Sequence, residues 1–309
     1  MPRTKRVAPE FAPSPHAEQA RVGDVRDRDD DHEPDQSDDP SDATSHAASH
    51  ATSHATSDDD IRPPNAFLMM LEGRAPWEMA AMVAALPWLR RLPRGDGHPV
   101  LVFPGMGAND LTTAPLRNFL TSLGYVTQTW GQGFNFGPRK GVLKQCAADV
   151  RQLAQKHGQP VSLIGWSLGG LYAREMAKEL PTDTRCVITL GTPFTGHPRA
   201  TNAWRVFELL SGQSAHDPAM TRRLRTTPAV PTTSIYSKTD GIVAWRCSIN
   251  PPGPRAENIE VQSSHCGMGM NPLALYAISD RLAQPVDPWR AFDPNGARKW
   301  FYRTDVATA

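Results

Sequence analysis

Gly165-Trp166-Ser167-Leu168-Gly169 sets one hydroxyl between glycines two residues before and two residues after it. The run that leads in, VSLIGW, is aliphatic and reads as a strand. The residues after Ser167 read as a helix. A turn this tight brings neighbouring backbone against positions 165 and 169, and glycine removes the Cβ that would clash there. The serine then stands at the C-terminal edge of a sheet. The helix behind it offers free N–H groups and the positive end of its dipole. Such a serine can attack an acyl carbon; a plain strand-to-helix turn would need the glycines and nothing more.

A neutral hydroxyl is a weak nucleophile. It requires a base, and the base requires a carboxylate to orient it. For a nucleophile between strand and helix, the chain order is serine, acid, histidine. Three histidines follow Ser167: His197, His216 and His265. His265, in SSHCGMGMNP, follows the last expected strand and is the expected base. His197 precedes any strand that could carry the acid, and His216 falls in an irregular region. Asp240, in SKTDGIV beyond the strand TTSIYS, is the expected acid. Glu208, Asp217, Glu257 and Glu260 are the alternatives, and a turn aspartate bonding its own backbone is the plain reading. The reaction also needs donors for the oxyanion. Leu168 N–H is one. Met106 N–H is the other, in the loop FPGMGAND, where Gly105 and Gly107 let the backbone turn in close.

These residues need a frame. Beyond Gly97, short apolar runs alternate with helical patterns. The strands are PVLVFPG (Pro99–Gly105), YVTQTW, VSLIGW, RCVITLGTP (Arg185–Pro193), TTSIYS and NIEVQ. The helices are Leu111–Gly124, Val142–Gly158, the stretch after Ser167, and Pro272–Gln284. Continuously apolar strands separated by helices predict an α/β fold: a mostly parallel central sheet with helices on both faces. An irregular region at 194–230 holds one expected helix, Trp204–Ser211. The tail from Pro285 is aromatic and basic and is left open as a strap or a loose end.

Charge divides the chain. Residues 1–60 carry 15 acidic and 6 basic side chains, a net of −9, and almost no large apolar residue. This arm cannot offset its ordering entropy and is expected to be disordered. Within it, ATSHAASHATSHATS repeats His46, His50 and His54 every four residues. That reads as a low-complexity linker, with a metal-binding helix face as the sharper alternative. Residues 61–309 carry 17 acids and 27 bases, a net of +10 spread without a dense basic tract, so no nucleic-acid site is expected. The N-terminus lacks the apolar core of a secretory signal, and no stretch is long enough to span a bilayer, so the expected location is the cytoplasm. Pro63–Leu92 reads as one or two amphipathic helices, expected to pack on the domain, with peripheral contact to a membrane surface as the other use. Four cysteines make no disulfide framework. Cys186 reads as a buried small hydrophobe. Cys247 and Cys266 flank the expected acid and base, and both a bond between them and two free thiols stay open.

Together, the serine elbow, Asp240, His265 and the glycine loop resemble the α/β-hydrolase superfamily, in its lipase and esterase branch, over Gly97–Gln284. LGTPFTGHP (Leu190–Pro198) is similar to the Gly-Thr-Pro segment of many bacterial lipases, and PGMGAND to their oxyanion loop. Pro104-Gly105 stands where many lipases have His-Gly. The resemblance implies carboxylic-ester hydrolysis through an acyl-enzyme on Ser167, Asp240 and His265. It implies Met106 and Leu168 as oxyanion donors, no metal or organic cofactor, a small-molecule ester with an apolar acyl part, and a place in lipid metabolism. It places a cap at about 194–230, where Phe194, Trp204, Val206, Phe207, Leu209 and Leu210 line an acyl pocket or pack as core. The expected organisation is an arm (1–60), a helical lead-in (61–97), a catalytic domain (98–284) and a tail (285–309). An acyltransferase, a thioesterase and a non-catalytic binding protein of the same fold are the other readings. Oligomeric state is not legible.

Overall fold

The computed structural model describes residues 61–196, 200–202, 218–285 and 287–305. The acidic arm with its histidine repeat, His197, His216, Glu208, Asp217 and the helix expected over Trp204–Ser211 lie outside the described residues.

Six strands run parallel: β1 (Pro99–Phe103), β2 (Val126–Thr129), β3 (Val161–Trp166), β4 (Thr184–Leu190), β5 (Thr232–Tyr236) and β6 (Ala256–Glu260). A seventh, β7 (Arg303–Asp305), pairs antiparallel with β6. Their order across the sheet is β2-β1-β3-β4-β5-β6-β7. The tail left open by sequence therefore closes one edge of the sheet. The helices are α1 (Ala66–Met70), α2 (Ala75–Leu89), α3 (Ala114–Ser122), α4 (Val142–His157), α5 (Leu168–Glu179), α6 (Pro218–Arg225) and α7 (Pro272–Leu282), with a 3-10 turn, Leu71–Arg74, between α1 and α2. α6 falls inside the region read as irregular. Its PAMTRRLR carries too few apolar residues to declare a helical face.

Pleating explains why β1, β3 and β4 carry apolar side chains towards both faces. Val100 and Val102 of β1, Ile164 and Trp166 of β3, and Ile188 and Leu190 of β4 point to one face. They meet α2, α3 and α7 there, with Leu89, Phe119 and Leu275 in the same core. Leu101 and Phe103, Val161 and Leu163, and Val187 point to the other face, into a second core with Val150 of α4 and Tyr172 and Met176 of α5. Full burial of one such aliphatic side chain contributes roughly 1.5–3 kcal/mol.

The lead-in departs from an ordinary amphipathic helix. α2 buries Met82 and Leu89 in the first core and packs against α7, so the domain does take it up. Its buried face also includes an acid, Glu78. Cys186 is half-buried on β4, and its thiol donates to Ser162 Oγ at 3.4 Å.

Candidate active site

Ser167 sits between β3 and α5 with φ 53° and ψ −122°, the one positive-φ non-glycine among the described residues. That conformation suits glycine and costs a serine on the order of 1–3 kcal/mol. Neighbours impose it. Ser167 N–H donates to Leu190 O at 2.8 Å, and Gly170 N–H donates to Ser167 O at 2.9 Å. A Cβ on Gly165 would stand 2.3 Å from Gly170 Cα, and one on Gly169 would stand 2.3 Å from Phe103 O. Both glycines therefore answer to backbone, which has nowhere to go. Gly165→Ala is expected to destabilise by about 1–3 kcal/mol, a fall in Tm of roughly 3–10 °C by calorimetry. An unchanged Tm would mean that the elbow is looser than drawn.

A serine at a helix start ordinarily spends its hydroxyl capping the first turn. The Ser167 side chain makes no such bond. The hydroxyl is left for other chemistry, and this distinction is invisible in sequence.

His265 and Asp240 meet directly. His265 Nδ1 lies 2.7 Å from Asp240 Oδ2, with both side chains buried. A carboxylate oxygen only accepts, so His265 supplies the proton of that bond and Nε2 is left as the ring's acceptor. The other oxygen, Asp240 Oδ1, accepts from Ile242 N–H and Val243 N–H at 2.8 Å each. The turn reading and the orienting reading of Asp240 thus both hold, one per oxygen. Gly191, φ 54°, follows the Leu190 carbonyl that holds Ser167. A Cβ there would stand 3.0 Å from both Asp240 Oδ2 and His265 Nδ1. Trp166, next to the serine, donates its indole N–H to His265 O at 3.0 Å. Ser167, Asp240 and His265 thus lie beyond the C-terminal ends of β3, β5 and β6, with His265 bonded to Asp240 and tied to the serine's turn through Trp166. Of the alternative acids, Glu257 is engaged with Arg281 and Thr233, and Glu260 with Lys238.

Burial disfavours the charged form of His265. Asp240, through its charge and its hydrogen bond, and Glu72 through its charge outweigh that penalty, and the pKa lies above the ordinary histidine value of 6.5. A base must be neutral to accept a proton. Activity is therefore expected to be lost as pH falls through a midpoint above 6.5, read from the acidic limb of kcat/KM. A midpoint at or below 6.5 would contradict the pairing.

Two groups unforeseen as site elements brace the site. The first is Glu72, between α1 and α2. Its Oε1 accepts Gly241 N–H at 2.8 Å and His265 N–H at 2.9 Å, and its Oε2 accepts Cys266 N–H at 2.8 Å. One carboxylate thereby ties the acid's loop to the base's loop. Burial works against its charge, the N–H groups of Cys266, His265 and Gly241 win, and its pKa is lowered. Glu78 repeats the device one turn on, accepting Ser264 N–H at 2.7 Å and Ser264 Oγ–H at 2.6 Å. Arg74 reaches Thr239 O at 3.0 Å and Thr239 Oγ1 at 2.7 Å. In the sequence, Glu72, Arg74 and Glu78 stand just before the apolar stretch Met79–Leu89.

The second brace is Asn135, fully buried in the loop after β2. It receives Gly107 N–H at 2.7 Å, donates its backbone N–H to Ala108 O at 2.8 Å and its side-chain amide to Pro104 O at 2.7 Å. These bonds fix the loop carrying Met106, and Gly105 of that loop lies against Ser167, its Cβ position 3.4 Å from the serine Cβ. Leu168 opens α5, where an N–H has no acceptor within its own helix.

Two alternatives left open by the sequence are decided among the described residues. Phe194 is buried with the Arg174 guanidinium 3.7 Å over its ring, so it packs as core and does not line an acyl pocket. Trp204, Val206, Phe207, Leu209 and Leu210 lie outside the described residues. Cys247 is buried and Cys266 exposed, and no disulfide joins them. Burial first, then Glu72, pushes the Cys266 thiol up to about 12, which keeps it protonated and unreactive. A second Ser-His-Asp string also exists: Ser162 Oγ lies 2.8 Å from His98 Nε2, and His98 bonds Asp96. Ser162 and His98 are both fully buried, so no substrate reaches them.

A model of the alpha/beta hydrolase family matches residues 73–305, and the chain belongs to that family. Among curated proteins no sequence matches. Among solved structures, the chain is similar to Aspergillus fumigatus lipase B, with 21% identity and a TM-score of 0.49 over 64% of this chain; the match spans just 56% of that lipase. It is similar to a Paleococcus ferrophilus monoacylglycerol lipase, with 14% identity and a TM-score of 0.47 over 62% of this chain and 96% of the other. A thioesterase domain from the curacin biosynthetic pathway gives 13% identity and a TM-score of 0.42 over 62% and 93%. These likenesses carry no substrate to this chain.

Proposed function

We propose that the chain is a serine hydrolase of carboxylic esters. The observation that carries this reading is the strained Ser167, its hydroxyl unspent on helix capping, in a turn whose Trp166 bonds the backbone of the Asp240-paired His265. His265 Nε2 takes the Ser167 proton as Oγ attacks the ester carbonyl. Met106 N–H and Leu168 N–H receive the oxyanion, a contribution of roughly 2.7–4 kcal/mol for each donor. The tetrahedral intermediate collapses, His265 returns the proton to the leaving alcohol, and the acyl group stays on Ser167. Water, deprotonated by His265, then attacks the acyl-enzyme and releases the acid. No step calls on a metal or an organic cofactor. The substrate is a small ester with an apolar acyl part. Transfer of the same acyl-enzyme to an alcohol or amine, or attack on a thioester, uses identical residues, and no observation favours either.

The test is labelling by a fluorophosphonate probe, beside Ser167→Ala, followed by 4-nitrophenyl esters of increasing chain length. Labelling of the wild type alone, with turnover, supports the reading. A folded wild type that neither labels nor turns over any ester refutes it.

A further inference from the structure

The inner face of the lead-in is spent on Glu72, Arg74 and Glu78. The outer face has no comparable use. Every exposed position of α2 is apolar, and Trp77, Ala81, Ala84 and Trp88 recur at helical spacing as one stripe. Trp77 is 76% exposed and Trp88 55%, and Phe67 of α1 continues the surface at 61%. A water-facing helix normally carries its charges outward. Here both acids of α2 and the preceding turn face inward, so the exterior is left apolar and free of negative charge. Exposed apolar surface of this extent marks a place of contact.

The rim is cationic. Arg90 and Arg91 are exposed directly after α2. Trp88 stacks on Tyr276, ring centroids 6.3 Å apart, and Arg298 of the tail lies 5.2 Å over the same Tyr276 ring. The tail thus joins the patch and brings Lys299 and Trp300, the latter 89% exposed. Asp280, the acid that acts on Tyr302 together with Arg298, is paired with Arg281.

We propose that the outer face of α1 and α2, with the Arg298–Trp300 edge, docks on a lipid surface bearing anionic headgroups. Tryptophans enter the headgroup boundary and the arginines meet its negative charge. A second copy of the chain fits less well, because a two-fold contact would set each cationic rim against its twin. The acidic arm matches in charge but brings almost no large apolar side chain to cover Trp77 and Trp88. α1 also backs the acid's turn, since a Cβ on Gly241 would stand 2.3 Å from Leu68 O. The docking face and the site therefore share one element. That the docked enzyme takes its ester from the surface rests on the ester-hydrolase reading; the docking does not.

The test is co-sedimentation of the full chain with phosphatidylcholine vesicles, with and without phosphatidylglycerol. Turnover of a soluble short-chain ester is followed in parallel. Binding to the anionic vesicles is expected. It should fall by at least about 10-fold in Trp77→Ser/Trp88→Ser and by roughly 30-fold in Arg90→Gln/Arg91→Gln, and weaken in high salt. Circular dichroism and soluble-ester turnover should stay unchanged in both variants. No binding to either vesicle overturns the proposal, as does binding indifferent to the tryptophans. A dimer in solution abolished by Trp77→Ser/Trp88→Ser also overturns it and assigns the face to a second copy. Absent turnover with intact docking would instead count against the ester-hydrolase reading.

Discussion

Ser167→Ala is expected to lose ester turnover by a factor on the order of 10^5–10^6 while keeping its fold. The loss is this large because attack, acyl transfer and release all pass through one oxygen, and no nearby group can replace it. Cys266, the nearest thiol in sequence to the base, is held protonated. Ser162, which has its own histidine, is buried. A companion variant separates chemistry from strain. Alanine retains a Cβ at φ 53°, so Ser167→Ala should leave Tm nearly unchanged. Ser167→Gly relieves the conformation and should raise Tm by roughly 2–6 °C while being equally inactive. A Ser167→Ala protein with more than a trace of wild-type turnover would place the nucleophile elsewhere.

Glu72→Gln is expected to lower kcat/KM on the order of 10- to 100-fold without unfolding the protein. A carboxylate offers two oxygens to three N–H groups, those of Gly241, His265 and Cys266. An amide offers one oxygen, and its NH2 turned towards an N–H leaves a donor unpaired, at about 1–3 kcal/mol. The loops of acid and base are then no longer held by one group, and small displacements of a base are costly to rate. Glu72 is a positioning residue, and its charge gives a readout that mere scaffolding would not. It helps hold His265 protonated, so removing it should move the acidic limb of the pH profile to lower pH. In the native chain the clamp contributes fully above the ordinary glutamate pKa. It is lost as pH falls through the lowered folded value. A Glu72→Gln enzyme slower than wild type but with an unmoved limb would reduce Glu72 to a structural tie.

Sequence by itself determined the sheet and the tight turn that carries Ser167. Strands buried on both faces carry apolar side chains towards both, so β1 stands out as an unbroken apolar run and β3 and β4 as nearly unbroken ones. The glycines around Ser167 stand out because backbone on both sides forbids a Cβ. The order of serine, aspartate and histidine along the chain then pointed to Asp240 and His265, which hydrogen-bond at the strand ends. Tertiary structure alone decided what braces them. Glu72 and Glu78 lie more than 160 residues before the loops they hold. An acid in an apolar helix looks like an interruption until its backbone partners arrive from elsewhere in the chain. Asn135 looks like a loop residue until the backbone groups of Pro104, Gly107 and Ala108 close around it. The tail became a seventh strand because β6 had a free edge, a property of the sheet and not of the segment that fills it. Local pattern records what a residue demands of its neighbours in sequence; the brace around Asp240 and His265 is built from hydrogen bonds between distant segments, and those leave no periodicity to read.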